Sequence, residues 1–105
     1  MTLELTDDNF EAFMSDNEQP VVIDFMAAWC APCKSVGKAL DAMAVDYTGR
    51  AQIGKVDVDT NPVLTQKFGV RNMPTVLFIH KGEVLDKHVG SAPRSVFEEK
   101  LRAML

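Results

Sequence analysis

The chain holds two cysteines, Cys30 and Cys33, with two residues between them. Two thiols at this spacing can close a small disulfide or bind a metal ion together. A structural zinc site needs four ligands, and the two histidines, His80 and His88, lie far along the sequence on the two arms of an expected hairpin. The sequence therefore favours reversible thiol–disulfide chemistry, and we expect no metal site.

Size and composition are those of an ordinary globular protein. Of the 105 residues, 47% are hydrophobic and 25% are charged, and the net charge is −4. These values argue against a disordered or fibrous chain, and the length suits one domain over residues 1–105. No cluster of Lys and Arg offers the charge that nucleic acid binding requires, so nucleic acid is not an expected partner.

The apolar stretches are too short for a transmembrane helix. The longest runs from Val21 to Trp29, is interrupted by Asp24, and falls short of the roughly 20 residues that cross a bilayer. The first residues lack the positively charged and apolar segments of a secretory signal. We expect a cytoplasmic location, with a mature exported form, for example a periplasmic one, as the alternative because Cys-x-x-Cys pairs suit both compartments.

The elements that must position the cysteines are predicted from hydrophobic patterning. Val21–Met26 is a nearly continuous β-branched run, which is typical of a central strand covered on both faces. After the cysteines, apolar residues at helical spacing predict a helix over residues 33–47. An alternating segment over residues 51–58 predicts the next strand, which can pair in parallel with the first because the crossover is long enough.

The remaining segments complete an α/β pattern. We expect a strand over residues 2–5, a helix capped by Thr6, Asp7 or Asp8, a short helix over residues 62–68, and a last helix near Pro93 with Phe97 and Leu101 on its buried side. Strands over residues 75–79 and 83–89 flank a hairpin turn at Lys81-Gly82. The order predicts a three-layer domain with a central mixed sheet of about five strands flanked by four helices.

Asp24 is the anomaly within the first buried strand. It is either a buried functional carboxylate or a residue at a frayed strand end that reaches water. Burial would raise its pKa, because a low dielectric disfavours the charged form, and would make Asp24 a proton acceptor near neutral pH.

The motifs resemble those of the thioredoxin family over essentially the whole chain. The matching segments are, in order, Val22-Ile23-Asp24-Phe25, Ala28-Trp29-Cys30-Ala31-Pro32-Cys33-Lys34, Lys55-Val56-Asp57-Val58-Asp59, Phe68-Gly69-Val70-Arg71, Met73-Pro74-Thr75, Lys81-Gly82-Glu83 and Val89-Gly90. The resemblance implies the thioredoxin fold, no bound cofactor, and reduction of protein disulfides. The implied partners are protein disulfide substrates and an NADPH-dependent thioredoxin reductase, and we expect a monomer.

Three residues near the cysteines depart from the family pattern. Ala31 stands where the family usually has Gly, Met26 where it usually has Trp, and Lys38 where it usually has a helix-kinking Pro. Ala31 adds a Cβ beside the attacking thiol. Met26 leaves Trp29 as the only tryptophan, and Lys38 predicts a straighter helix unless Gly37 supplies a bend.

The two cysteines are expected to have different roles. Cys30 would lie at the helix N-terminus, where unpaired backbone N–H groups and the helix dipole stabilise a thiolate, so it is the expected nucleophile. Cys33, one turn further, is the expected resolving thiol. The resemblance implies that Asp24 takes the proton of Cys33 through water and that Lys55 on the neighbouring strand tunes Asp24; otherwise Lys55 is a solvated strand residue.

Pro74 and Trp29 each allow two readings. By base rate Pro74 is trans, since only about 5–6% of X–Pro bonds are cis. The resemblance instead implies a cis bond packed against the disulfide, with the Met73 backbone free to pair with an extended substrate. Trp29 is either core or contact surface. The expected substrate-binding residues form a shallow apolar rim: Trp29, Ala31, Pro32, Val58, Met73, Pro74, Val89 and Gly90.

The direction of the reaction is inferred from the residue before the second cysteine. A histidine there would stabilise the thiolate and make the protein oxidising, whereas Pro32 has neither a charge nor an N–H to donate. The sequence therefore favours a reductase. The alternatives are an exported thioredoxin-like oxidase or isomerase, and a thioredoxin-fold binding or chaperone subunit whose thiols are incidental.

Overall fold

Residues 2–105, the part of the chain that this computed structural model describes, contain five strands and four helices. They are β1 (Leu3–Glu4), α1 (Phe10–Asp16), β2 (Val21–Met26), α2 (Ala31–Asp46), β3 (Gln52–Asp57), α3 (Pro62–Lys67), β4 (Thr75–His80), β5 (Glu83–Val89) and α4 (Arg94–Arg102). None of the helices in this range has both the length and the apolar character needed to cross a membrane.

The strands form one mixed sheet in the order β1-β3-β2-β4-β5. β3 pairs in parallel with both β1 and β2, whereas β4 pairs antiparallel with β2 and β5. The three-layer α/β fold with a mixed five-stranded sheet is confirmed.

Successive residues of β2 point to opposite faces of the sheet and separate two hydrophobic cores. Val22 packs with α2 and α4, and Ile23 packs with α1 and α3. Because side chains alternate along a strand, Asp24 lies on the same face as Val22 and is directed toward α2. The fold thereby brings a carboxyl group beneath the helix that carries the cysteines.

Helix α2 begins at Ala31, two residues before the predicted start. Pro32 fits the first turn, because its fixed φ suits a helix and its missing N–H would have no intrahelical partner there. Cys30 takes the N-cap position, and the helix continues without a break past Lys38 to Asp46.

The capping prediction for α1 is wrong, because the N-cap residue is Asn9, no side chain caps the helix, and Thr6, Asp7 and Asp8 all precede it. The Thr6 hydroxyl accepts a hydrogen bond from the Asn9 N–H at 3.2 Å, and the Asn9 side chain accepts one from the Thr6 N–H at 2.8 Å. The Asp7 carboxylate instead accepts from the backbone N–H groups of Val63 and Leu64 at 3.1 and 2.9 Å. Asp7 therefore caps α3, a long-range contact that sequence spacing does not reveal.

The β4–β5 hairpin turns through Lys81 and Gly82, as predicted. Their φ angles are 55° and 77°, and the flanking residues His80 and Glu83 are paired. Positive φ at both central residues is typical of the two-residue turns that match the twist of antiparallel strands. The return strand β5 lies at the sheet edge.

We expect Gly54→Ala to lower the free energy of unfolding by about 1–2 kcal/mol, because the new methyl overpacks the core. A Cβ at Gly54 would lie 2.6 Å from Cδ1 and 3.0 Å from Cγ of Leu5, which is itself buried. Urea denaturation measures the change.

Gly37→Ala is the matched control, because a Cβ there meets no atom within 4 Å and Gly37 lies inside α2. Alanine is a better helix former than glycine, so this variant should be more stable than the wild type by about 0.5–1 kcal/mol. Equal effects of the two substitutions would contradict the packing argument.

Candidate active site

Cys30 and Cys33 form a disulfide at the start of α2, with their Cα atoms 5.3 Å apart. Cys30 has an extended backbone at the N-cap, and its N–H donates to the carbonyl oxygen of Ala27 at 3.1 Å. Cys30 therefore lies at the N-terminus of α2, where the positive pole of the helix dipole and the free N–H groups favour a thiolate.

Both cysteines are buried in the disulfide form. Cys30 is 5% exposed and Cys33 is 4% exposed, so exposure does not distinguish them. Around them pack Ala27 and the half-buried side chains of Met26, Val58 and Met73. The two cysteines differ instead in position, because Cys30 precedes the helix and Cys33 lies within its first turn.

The Met73–Pro74 peptide bond is cis, as the resemblance implied and against the base rate for proline. Pro74 is buried, and its carbonyl oxygen accepts a hydrogen bond from the Gly90 N–H at 2.8 Å. Because the side chain of Met73 packs against the cysteine cluster, the segment before β4 lies beside the disulfide.

The expected apolar rim is partly assembled around the disulfide. Trp29 is 67% exposed, and its indole N–H donates to Oδ2 of Asp59 at 2.9 Å, so this residue belongs to the surface and not to the core. Val58 and Met73 contact the cysteine cluster. Ala31, Pro32 and Val89 are exposed, and Gly90 follows β5 beside Pro74. Their role in substrate binding stays a prediction.

Asp24 is a buried carboxylate, the first of the two alternatives that the sequence left open. It is 3% exposed, and its Oδ1 has no hydrogen-bond partner among the described residues. Burial raises its pKa from 3.8 to about 7, because the charged form loses hydration that nothing replaces. Asp24 can therefore accept or release a proton at neutral pH.

Two charged neighbours act on Asp24 in opposite directions. The negative charge of Asp41 adds to the effect of burial and raises the pKa of Asp24, whereas the positive charge of Lys55 lowers it. Lys55 stands directly opposite Asp24 in the β2–β3 register and is exposed. The predicted proximity of Lys55 and Asp24 is thus observed.

A cavity of about 140 Å³ joins Asp24 to Cys33. A water molecule needs only a small part of that volume, provided that polar groups line it. The lining residues are Thr2, Asp24, Met26, Cys33, Lys34, Gly37, Leu40, Asp41, Ile53 and Lys55. The arrangement can therefore hold water between the carboxyl group of Asp24 and the sulfur of Cys33.

Within residues 2–105, no group of three or more His, Cys, Asp and Glu side chains is placed to hold a metal ion.

Sequence reasoning missed two carboxylates at this site, Asp41 and Asp59. Asp41 could have been found, because it lies eight residues after Cys33, on the same helical face. Asp59 follows β3, and no local pattern indicates its hydrogen bond to Trp29.

Comparison with known proteins agrees with the architecture. The family model described as Thioredoxin matches residues 1–103. The chain is 40% identical over 98 residues to a thioredoxin of Chlorobaculum thiosulfatiphilum, covering 93% of this chain and 91% of the relative. It is 41% identical over 98 residues to thioredoxin 2 of Chlorobaculum tepidum, covering 93% and 90%. It is 44% identical over 90 residues to thioredoxin C-2 of Corynebacterium nephridii, covering 86% and 83%.

These matches cover nearly the full length of this chain and of its relatives, and the matched residues include Cys30 and Cys33. The similarity therefore extends to the active site as well as to the fold. A Cys-x-x-Cys disulfide at a helix N-terminus is the reactive unit of thiol–disulfide exchange. The chain belongs to the thioredoxin family and is a thiol–disulfide oxidoreductase.

Proposed function

We propose that this protein, acting as a single monomeric domain, reduces the disulfides of other proteins, with Cys30 as the attacking thiol and Cys33 as the resolving thiol. The observation that carries the proposal is the Cys30–Cys33 pair at the start of α2, beside a buried carboxyl group whose pKa is about 7. The alternatives, an exported oxidase or isomerase and a binding subunit, are not favoured.

The first step is attack on the substrate disulfide. The Cys30 thiolate, stabilised by the N-terminus of α2, forms a bond to one substrate sulfur. The substrate S–S bond breaks, and the other substrate sulfur leaves as a thiolate that takes a proton from water. The product is a mixed disulfide between Cys30 and the substrate.

The second step releases the substrate. The Cys33 thiol gives its proton to Asp24 through water in the cavity, and the resulting thiolate attacks the sulfur of Cys30. The mixed disulfide breaks, the Cys30–Cys33 disulfide forms, and the second substrate sulfur leaves as a thiolate that takes a proton from water, while Asp24 returns its proton to water. In sum, two electrons pass from the dithiol to the substrate, and the two protons that the thiols of Cys30 and Cys33 lose are balanced by the two that the substrate sulfurs take up from water. The positive charge of Lys55 lowers the pKa of Asp24 and so opposes the effect of burial.

Substrate recognition is assigned to the surface around the disulfide. The segment of Met73 and cis-Pro74 offers backbone groups to an extended substrate chain, as in strand addition. Apolar side chains next to it exclude water from the reacting sulfurs. The proposed contact residues are Trp29, Ala31, Pro32, Val58, Met73, Pro74, Val89 and Gly90.

Return to the dithiol requires a reductant. We assign this role to an NADPH-dependent thioredoxin reductase, which supplies two electrons per cycle, and we place the cycle in the cytoplasm. Pro32 supports the reducing direction because it adds no charge and no N–H beside the thiolate, and so leaves the oxidised form stable.

A glutathione redox titration with an insulin-reduction assay tests this function. Trp29 is the only tryptophan and adjoins Cys30, so its fluorescence should report the dithiol–disulfide equilibrium. We expect a potential near about −270 mV, the value for thioredoxin taken over from the family, together with turnover of insulin.

The controls separate the alternatives. A potential near about −180 mV, the value for protein disulfide isomerase, would contradict the reductase function. Loss of the fluorescence change in a variant in which both cysteines are replaced by Ser confirms that the signal comes from the disulfide.

A further inference from the structure

We propose that Asp41 is a positioning residue of the active site, whose carboxylate acts on Asp24 across the shared cavity and keeps Asp24 an effective base at neutral pH. This inference rests on the proposed role of Asp24 as the acceptor of the Cys33 proton. Asp41 touches neither substrate nor a reacting sulfur, and its effect passes through Asp24.

The first support is the placement of Asp41 along α2. Cys33, Gly37 and Asp41 succeed one another at intervals of four residues, and all three line the cavity that Asp24 enters from β2. Residues at this spacing lie on one side of a helix. The helix that carries the resolving thiol therefore also carries a second carboxylate facing the same space.

The second support is that Asp41 is held in place from outside α2. The Thr2 hydroxyl donates a hydrogen bond to Oδ1 of Asp41 at 2.5 Å, and Thr2 lines the same cavity. A hydrogen bond to a carboxylate restricts its rotamers. The segment just before β1 thus keeps this charge at the edge of the cavity.

The third support is the open space between the two carboxylates. A Cβ at Gly37 would meet no atom within 4 Å, so α2 presents no side chain between Cys33 and Asp41. The cavity on this side is accessible to water. Asp41 is exposed, whereas Asp24 is buried, so the two carboxylates act on each other with only one of them in water, and their charges are screened less than two charges on an open surface.

The charges around Asp24 come from two elements. β3 contributes Lys55, and α2 contributes Asp41 and Lys34, together with the Cys33 thiol when the disulfide is reduced. β4 places the apolar Val76 opposite Asp24. With Lys55 and Lys34 as the cations, Asp41 is the anion among these lining residues that opposes them.

This balance has a consequence for catalysis. Lys55 lowers the pKa of Asp24 and Asp41 raises it, so removing Asp41 leaves the effect of Lys55 unopposed by a neighbouring charge. Asp24 would then be ionised at lower pH and would bind the Cys33 proton less tightly. A weaker base transfers that proton less readily, and resolution of the mixed disulfide slows.

The test is an NMR titration of the Asp24 carboxyl carbon in the oxidised full-length protein. In Asp41→Asn, the midpoint should move to lower pH by about half a unit, the size expected for a partly solvated charge pair. The matched control is Asp16→Asn, which makes the same change at an exposed position on α1, against the opposite face of the sheet. In Asp16→Asn, the midpoint of the Asp24 titration should equal that of the wild type.

Single-turnover resolution of a mixed disulfide, measured against pH, supplies the second readout. Asp41→Asn should shift the profile to lower pH and lower its plateau, and adding Asp41→Asn to Asp24→Asn should change nothing further. An Asp24 midpoint equal to that of the wild type, or a double variant slower than Asp24→Asn alone, would overturn the proposal. Insulin reduction by the wild type tests the proposed function separately.

Discussion

Replacing Cys33 by Ser is expected to trap the protein on its substrate and to abolish turnover. Cys30 keeps its place at the N-terminus of α2 and can still attack a disulfide, but no thiol then resolves the product. A serine hydroxyl cannot displace a thiolate under these conditions, because it is hardly ionised. The mixed disulfide should therefore accumulate to the amount of protein present.

Non-reducing electrophoresis and mass spectrometry measure the trapped species. The matched control is Cys30→Ser, which should form no adduct at neutral pH and should also lose turnover. If Cys30→Ser formed an adduct on Cys33 and Cys33→Ser formed none on Cys30, then Cys33 would be the attacking thiol and Cys30 the resolving thiol. A partner function that survives replacement of both cysteines would indicate a binding protein and contradict the proposed enzyme.

Asp24→Asn is expected to make the protein more stable at neutral and alkaline pH. In the wild type, the pKa of Asp24 is about 7 in the folded state, against 3.8 for an ordinary aspartate. The folded state thus holds a proton that the unfolded state has released. Folding stability falls as the pH rises through this window, and the total loss is about 4 kcal/mol for a shift of this size.

The asparagine variant does not titrate at this position, so its stability lacks that decline. Its advantage over the wild type should be smallest below pH 4, should grow between pH 4 and 7, and should stay constant above. Urea denaturation at several pH values measures the difference. Asp16→Asn should follow the wild type, and a pH-independent gap between Asp24→Asn and the wild type would contradict the raised pKa.

The same variant should also be slower in the second half of the reaction. Without a carboxylate, the Cys33 proton must pass to water alone, and resolution at neutral pH should fall by about 10²-fold, the lower end of what a positioned base contributes. Formation of the mixed disulfide by Cys30 should be unaffected. A gain in stability together with a loss in rate is typical of a buried charge kept for catalysis.

Much of this molecule can be predicted from local sequence patterns. The β-branched run of β2 and the apolar stripe of α2 each depend on residues close together in the chain, and both elements were predicted. The same holds for the hairpin turn at Gly82. In each case the residue types alone decide between a few conformations.

Contacts between distant segments were not predictable in this way. Asp7 caps α3 although it lies 56 residues before Val63, and the indole N–H of Trp29 donates to Asp59, which lies in another loop. The cis bond before Pro74 was available only from the family resemblance. Asp41 acts on Asp24 only because α2 packs over β2, and that depends on the assembled fold.

Because the sheet is mixed, the active site is built from segments at opposite ends of two neighbouring strands, the end of β2 and the start of β4. β2 runs toward the disulfide, so Asp24 within it and the cysteines after it lie at the site. Its antiparallel neighbour β4 runs away from the disulfide, so Met73 and Pro74 lie at the site just before that strand begins. The active site is thus assembled from two stretches of sequence some forty residues apart, one with Asp24 and the two cysteines and the other with Met73 and Pro74. Because Met73 packs against the cysteines from the second stretch, a substitution there changes the surroundings of the disulfide without changing either thiol.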